Sequence, residues 1–181
     1  TTFYYSIKNF PGPGDDKPVI SEADGMKSYT WALENVAPMV GEPSMASYED
    51  VAPFMRGSIF KEWDRVFDWT LAMHEERTKP SEELAKFTLD LIKDCRTDEE
   101  KAAKIYHYVQ KEIRYIAVKV GVASGWGGYD ANLTWKRRYG CCIDKALLLT
   151  TMFKVAGILS SPILLNTNNM NEIDYSIPQL G

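Results

Sequence analysis

The chain is poor in the two residue types that most often build disulfide or metal frameworks. It has three cysteines and two histidines in 181 residues. Three is an odd number of cysteines and too few for a disulfide scaffold. No C-x-x-C spacing occurs, so the sequence does not predict a structural zinc site. We therefore expect an apolar core to stabilise the fold, with no bound metal and no cofactor.

Basic clusters and long apolar segments are also scarce. The formal net charge is −4, and only the short run at 136–138 concentrates Lys and Arg, so no nucleic-acid partner is expected. The most apolar window, 146–165, is interrupted by Lys154, Gly157 and Pro162. This predicts a buried helix followed by a strand (in "SPILLNT") rather than a membrane span. The chain opens without a basic and apolar leader, so no signal peptide is predicted.

The N-terminal part of the sequence favours short β-strands. Proline and glycine punctuate it, and "SYTWALENV" alternates so that Tyr29, Trp31 and Leu33 share one face. We interpret residues 1–50 as the tail of a β-rich domain with its linker, and residues 51–62 as an irregular connector.

Helical periodicity dominates the rest of the chain. The segment 63–115 predicts three amphipathic helices, two of them capped by Ser81 and Thr97 ahead of acidic first turns. A further buried helix is predicted from Cys142 to about Ala156, with Gly157 as its C-terminal stop. The fold class expected is α+β, a mostly helical core preceded by short strands.

Two of the cysteines, Cys141 and Cys142, are adjacent at the predicted start of this buried helix. A helix N-terminus presents N–H groups and a positive dipole end, which stabilise a thiolate and can receive an oxyanion. Cys142 therefore fits a nucleophile, and Gly140 would let the backbone approach a substrate closely. The alternative is that both cysteines are small apolar residues of the interior, as Cys95 on a core stripe is expected to be. The residues alone leave both interpretations open.

The sequence around the pair resembles the transglutaminase-like superfamily, in particular bacterial members with a preceding β domain. Their usual pattern is an Arg-Tyr pair, a loop, Tyr-Gly-Asp-Cys-Lys-Asp-Lys, and a leucine-rich helix closing on Gly-Ile. Here the pattern becomes Arg114-Tyr115, then Tyr-Gly-Cys-Cys-Ile-Asp-Lys at 139–145, then Gly157-Ile158. The likeness runs from about residue 29 to residue 165.

The resemblance implies a papain-like α+β core over residues 51–181, a protein or peptide substrate, and a periplasmic or secreted setting. Cys142 would attack a glutamine or peptide amide, assisted by a histidine and an aspartate C-terminal to it. Tyr115 or Trp126 would stabilise the oxyanion.

Three neighbouring residues take supporting roles by the same resemblance. Gly140 and Cys141 would lie on the substrate side of the site, and Asp144 would give local electrostatic support. Cys141 stands where the family has an aspartate, which would cap the helix better than a thiol does.

No histidine follows Cys142 in this sequence. His74 lies among charged residues and is expected to be solvated or ion-paired, whereas His107 is expected on a helix surface. We therefore expect a core that is incomplete at its C-terminus and lacks the catalytic histidine and aspartate. The alternative is a non-catalytic transglutaminase-like module that binds a partner or serves a structural role. Metal binding by Cys141, Cys142 and a histidine is disfavoured, because adjacent cysteines do not easily ligate one tetrahedral ion.

Overall fold

The computed structural model describes residues 2–12, 14, 16–117, 127–163 and 176–178, with only the backbone of Glu49. The chain divides into two compact units, one formed by 1–66 with 166–181 and the other by 67–165. The strands are β1 (Tyr4–Lys8), β2 (Val19–Ala23), β3 (Met26–Thr30), β4 (Phe54–Ser58), β5 (Arg114–Tyr115) and β6 (Tyr139–Gly140). The helices are α1 (Tyr48–Val51), α2 (Trp63–Arg77), α3 (Glu82–Ile92), α4 (Asp98–Glu112), α5 (Ala131–Arg137) and α6 (Cys142–Val155). The fold class is α+β, as the sequence predicted.

The first unit contains two antiparallel strand pairs. β2 and β3 form a hairpin whose turn residues, Asp24 and Gly25, both have positive φ, the geometry that two-residue hairpin loops require. The predicted strand through Tyr29 and Trp31 is shorter than expected: β3 ends at Thr30, so Trp31 lies outside it. Its partner β2 begins directly after Pro18, which has no N–H group to extend the ladder.

The predicted connector at 51–62 is wrong. Residues Phe54–Ser58 form β4, which pairs antiparallel with β1 from Tyr4↔Ser58 to Lys8↔Phe54, and α1 precedes it. This pairing depends on a partner about 50 positions away, so local sequence does not reveal it. Gly57 lies under the Phe3 ring, where a Cβ would come within 2.4 Å of the ring carbon Cζ.

The helices predicted over 63–115 are confirmed. Ser81 caps α3 by accepting a hydrogen bond from the Leu84 N–H at 3.2 Å. Thr97 caps α4 through the Glu100 N–H, also at 3.2 Å, while the Glu100 carboxylate accepts from the Arg96 N–H at 2.6 Å. Both helix starts thus bond N–H groups that would otherwise have no intrahelical partner.

Helix α6 is the centre of the second unit. It begins at Cys142 and ends at Val155, with Ala156 as C-cap and Gly157 at φ +79°, which confirms the predicted helix. α3, α4 and α5 pack against it. The core consists of the following buried residues: Leu84, Ile92, Ile105, Val109, Ile113, Ala131, Leu148 and Met152. Cys95 is half-buried and packs against this core.

Two elements after residue 130 were not predicted correctly: helix α5 and the strand expected in "SPILLNT". The helix α5 was not predicted; Asp130 caps it, and Arg138 closes it in the left-handed region. The strand predicted in "SPILLNT" is not formed by 161–163, and its remaining residues lie outside the described residues. In the part of the chain that the structure describes, no helix combines the length and apolar character needed to cross a membrane.

Candidate active site at the start of helix α6

The two adjacent cysteines have opposite environments. Cys141 is the N-cap of α6, with extended backbone, and only 2 % of its surface is exposed. Cys142 is the first helical residue and its side chain is exposed. Burial raises the pKa of the Cys141 thiol, and the nearby Asp144 charge acts in the same direction, although N–H groups of the first turn oppose it. The exposed thiol at the helix start is therefore Cys142.

Asp144 ties the helix start together. Its carboxylate is buried and accepts three hydrogen bonds: from the Tyr129 N–H at 2.7 Å, from the Cys141 N–H at 2.8 Å and from Arg137 Nη2 at 3.1 Å. The bond to the Cys141 N–H is the carboxylate half of a capping box, with Asp144 as the third helical residue. Asp144 thus supplies the capping carboxylate that position 141 lacks.

A two-stranded parallel ribbon carries Tyr115 to the thiol. β5 pairs with β6 in the register Arg114↔Tyr139 and Tyr115↔Gly140, so Tyr115 lies next to the residue that precedes the cysteine pair. The charge of a Cys142 thiolate raises the pKa of the Tyr115 hydroxyl. Partial burial of the phenol and its proximity to the Cys142 thiol also raise this pKa, whereas the nearby Cys142 N–H lowers it. Tyr115, one of the two residues expected at the oxyanion, therefore lies beside Cys142, and its role in stabilising an oxyanion stays a prediction.

Comparison with known proteins relates this arrangement to a family. The model of the transglutaminase-like superfamily matches residues 85–171, from α3 through the cysteine pair and α6. These 87 of the 181 residues are therefore similar to the transglutaminase-like superfamily. The resemblance predicted from the motif is thereby confirmed.

A solved structure shares the fold of this chain. It is the crystal structure of a candidate protease from Parabacteroides distasonis, with a TM-score of 0.65 and 21 % sequence identity. The match covers 87 % of the present chain and 30 % of that protein, so the present chain spans less than a third of its length. Among curated proteins, none matches the sequence.

Gly140 of the transglutaminase-like motif has a packing role. A Cβ at this position would come within 2.6 Å of the Asp144 Cβ and 3.2 Å of the Thr134 Cγ2. The absence of a side chain therefore lets the capping carboxylate sit beneath the strand. That Gly140 also allows close approach of a substrate stays a prediction.

The histidines of the chain lie elsewhere. His74 is buried in α2, so the expectation that it is solvated or ion-paired is wrong; burial lowers its pKa and the charge of Arg77 adds to this. His107 is exposed on α4, as predicted, 3.4 Å from Gln110 Oε1. Trp126, the other residue expected at the oxyanion, lies outside the described residues.

Two groups around the site, Arg137 and Tyr129, were missed by sequence reasoning. Arg137 bonds to Asp144, and the loop residue Tyr129 donates its N–H to the same carboxylate. Lys145 Nζ donates to the Ile113 carbonyl at 2.8 Å, which joins α6 to the end of α4. Of these groups, Arg137 had a signal in the sequence, because it lies two residues before the Tyr-Gly pair of the motif. No group of His, Cys, Asp and Glu among the described residues could hold a metal ion.

Proposed function

We propose that Cys142 is the nucleophile of a thiol-dependent acyl transfer or hydrolysis at a glutamine or peptide amide. The observation that carries this proposal is the exposed thiol on the first turn of α6, with Tyr115 placed beside it by the pairing of β5 with β6. The similarity of residues 85–171 to the superfamily and the fold shared with a candidate protease support it.

The residues present suit the first half of such a reaction. The Cys142 thiolate attacks the amide carbonyl carbon, and the carbonyl oxygen takes the negative charge. The Cys142 N–H and the Tyr115 hydroxyl are donors beside the thiol that can bind this oxyanion. The C–N bond then breaks, the nitrogen leaves as ammonia or an amine after taking a proton, and the acyl group stays on sulfur until water or an amine removes it.

The proton transfers need a base that the described site does not show. No histidine follows Cys142 in the sequence, and His107 faces solvent on α4. This favours a second candidate for the chain by itself: a transglutaminase-like module that binds a protein or peptide without turning it over.

An activated ester separates the two candidates, because p-nitrophenolate leaves without being protonated. We expect p-nitrophenyl acetate to acetylate Cys142 faster than it acetylates N-acetylcysteine at the same pH, as followed by nitrophenolate release and peptide mass mapping. Tyr115→Phe should slow this acetylation by about tenfold, since it removes an oxyanion donor. The matched control Tyr139→Phe, on the neighbouring strand, should leave the rate unchanged.

The control for the thiol is Cys95→Ala, which should also react like the parent chain, whereas Cys142→Ala should lose the reaction. Acetylation of Cys142 no faster than that of N-acetylcysteine, with no effect of Tyr115→Phe, would leave the binding module as the function.

A further inference from the structure

We propose that Arg137 is a positioning residue of this site: it neutralises the buried Asp144 carboxylate and holds together the three segments that surround Cys142. The proposal deepens the proposed function and rests on Cys142 being the reactive thiol.

The Arg137 guanidinium is mostly buried and combines polar contacts with ring contacts. Nη2 contacts Asp144 Oδ2 at 3.1 Å, and Nε donates to the Tyr139 carbonyl at 2.8 Å. Its faces lie over two rings, with the guanidinium carbon 4.2 Å from the Tyr129 centroid and 4.7 Å from the Tyr139 centroid. A planar cation that makes two hydrogen bonds while lying over two rings is a role that Lys cannot reproduce.

These contacts join the loop before α5, the strand β6 and the first turn of α6. Tyr129 comes from the loop and Tyr139 from the strand, while Asp144 belongs to the helix. Because the same carboxylate also accepts from the Cys141 N–H, Arg137 acts on the backbone that leads directly into Cys142. Movement of Asp144 would therefore change the direction in which the first helical N–H groups and the Cys142 side chain point.

Charge balance gives the second part of the argument. The Arg137 and Asp144 side chains are only 15 % and 4 % exposed, so their ion pair is weakly screened. The Asp144 charge already disfavours ionisation of the neighbouring Cys141 thiol. Without Arg137 that charge would oppose a Cys142 thiolate as well, because like charges nearby disfavour the charged form.

The other cations around the helix start have partners of their own. Lys145 directs its ammonium to the Ile113 carbonyl at the end of α4, and Arg77 donates to the Gly128 carbonyl at 3.0 Å. Among the residues that the structure describes, the other ionisable groups named beside the thiol are Tyr115 and Cys141, which become negative rather than positive on ionisation. Arg137 is therefore the cation paired with Asp144.

The adjacent Arg138 is a matched control. It has the same charge and lies one residue away, but its Nη1 donates to the Tyr108 hydroxyl, and its guanidinium lies near the rings of Tyr108 and Trp135. If the effect came only from lost positive charge or lost packing, substitution of either arginine would change the alkylation of Cys142 to the same extent. Of these two arginines, Arg137 is the one that contacts the capping carboxylate.

The test is the pH dependence of Cys142 alkylation by iodoacetamide, measured by peptide mass mapping on the full 181-residue chain. For Arg137→Gln we expect the pH midpoint of Cys142 alkylation to rise by about one unit relative to the parent chain. Arg138→Gln should leave the midpoint unchanged. Adding Asp144→Asn to Arg137→Gln should return the midpoint toward the parent value, since the uncompensated charge is then gone. Circular dichroism checks that each variant folds. If Arg137→Gln does not fold, Arg137→Lys takes its place, and a smaller rise of the pH midpoint is then expected.

Two results would overturn the inference: equal midpoints for Arg137→Gln and Arg138→Gln, or a raised midpoint that Asp144→Asn does not reverse. Failure of the proposed function is distinguishable, because the parent chain would then alkylate at Cys141 or Cys95 before Cys142.

Discussion

One peptide bond separates a buried thiol from an exposed one at the start of α6. Successive residues entering a helix project about 100° apart, so the N-cap and first helical side chains cannot point the same way. Cys141 points inward, where burial raises its pKa, and Cys142 points to solvent beside Tyr115. The residue that replaces the family aspartate thus functions as interior packing, and the capping carboxylate comes from Asp144 three positions later.

This difference predicts the order of thiol labelling. Iodoacetamide at neutral pH should modify Cys142 first, then the half-buried Cys95, and Cys141 last. The raised pKa of Cys141 means a smaller thiolate fraction at any given pH, so its labelling should become appreciable only in more alkaline solution than that of an ordinary thiol. Cys95, expected from the sequence to be an interior residue, is only half-buried and should therefore react before Cys141. Time-resolved peptide mapping measures it, and faster labelling of Cys141 than of Cys142 would remove the physical basis for the nucleophile.

At the scale of secondary structure, short elements position the site and long helices support it. β5 and β6 have two residues each, yet their pairing carries Tyr115 to Cys142. The ribbon is anchored by α4, which ends where β5 begins, and by α5, which ends where β6 begins. The geometry of the thiol therefore depends on how well α3, α4 and α5 pack on α6.

The helix caps are expected to contribute measurably to that packing. Ser81→Ala removes the acceptor for the Leu84 N–H and should lower the free energy of unfolding by about 1 kcal/mol. Ser81→Asp keeps an acceptor at the helix N-terminus and should stay within a few tenths of a kcal/mol of the parent, since Asp and Ser cap almost equally well. Urea unfolding followed by circular dichroism gives both values. Equal stabilities of the two variants would show that the cap contributes nothing.

At the scale of the whole molecule, Cys142, the proposed nucleophile, and Tyr115 lie in the unit formed by 67–165. Asp144, Arg137 and Tyr115 all belong to this unit. The two histidines do not supply an evident base, since His74 is buried with a lowered pKa and His107 is exposed on α4.

The 181-residue chain by itself should therefore show little or no turnover of an amide substrate. Amide turnover needs a base to take and return protons, and loss of one member of a catalytic triad commonly costs several orders of magnitude in rate. Hydroxamate formation from benzyloxycarbonyl-glutaminylglycine and hydroxylamine measures this, with Cys142→Ala as the blank. Robust turnover that Cys142→Ala abolishes would contradict the prediction and require His74→Ala and His107→Ala to be tested as the base.

The sequence by itself determined the long helices, the position of Cys142 at a helix start and the family. These features depend on local signals: apolar periodicity, capping residues such as Ser81 and Thr97, and the motif at 139–145. Only the tertiary structure decided which thiol is exposed, that β4 pairs with β1, and that Arg137 meets Asp144. Each of these depends on groups brought together by the packing of separate elements, and the periodicity of a single segment contains no information about its partner.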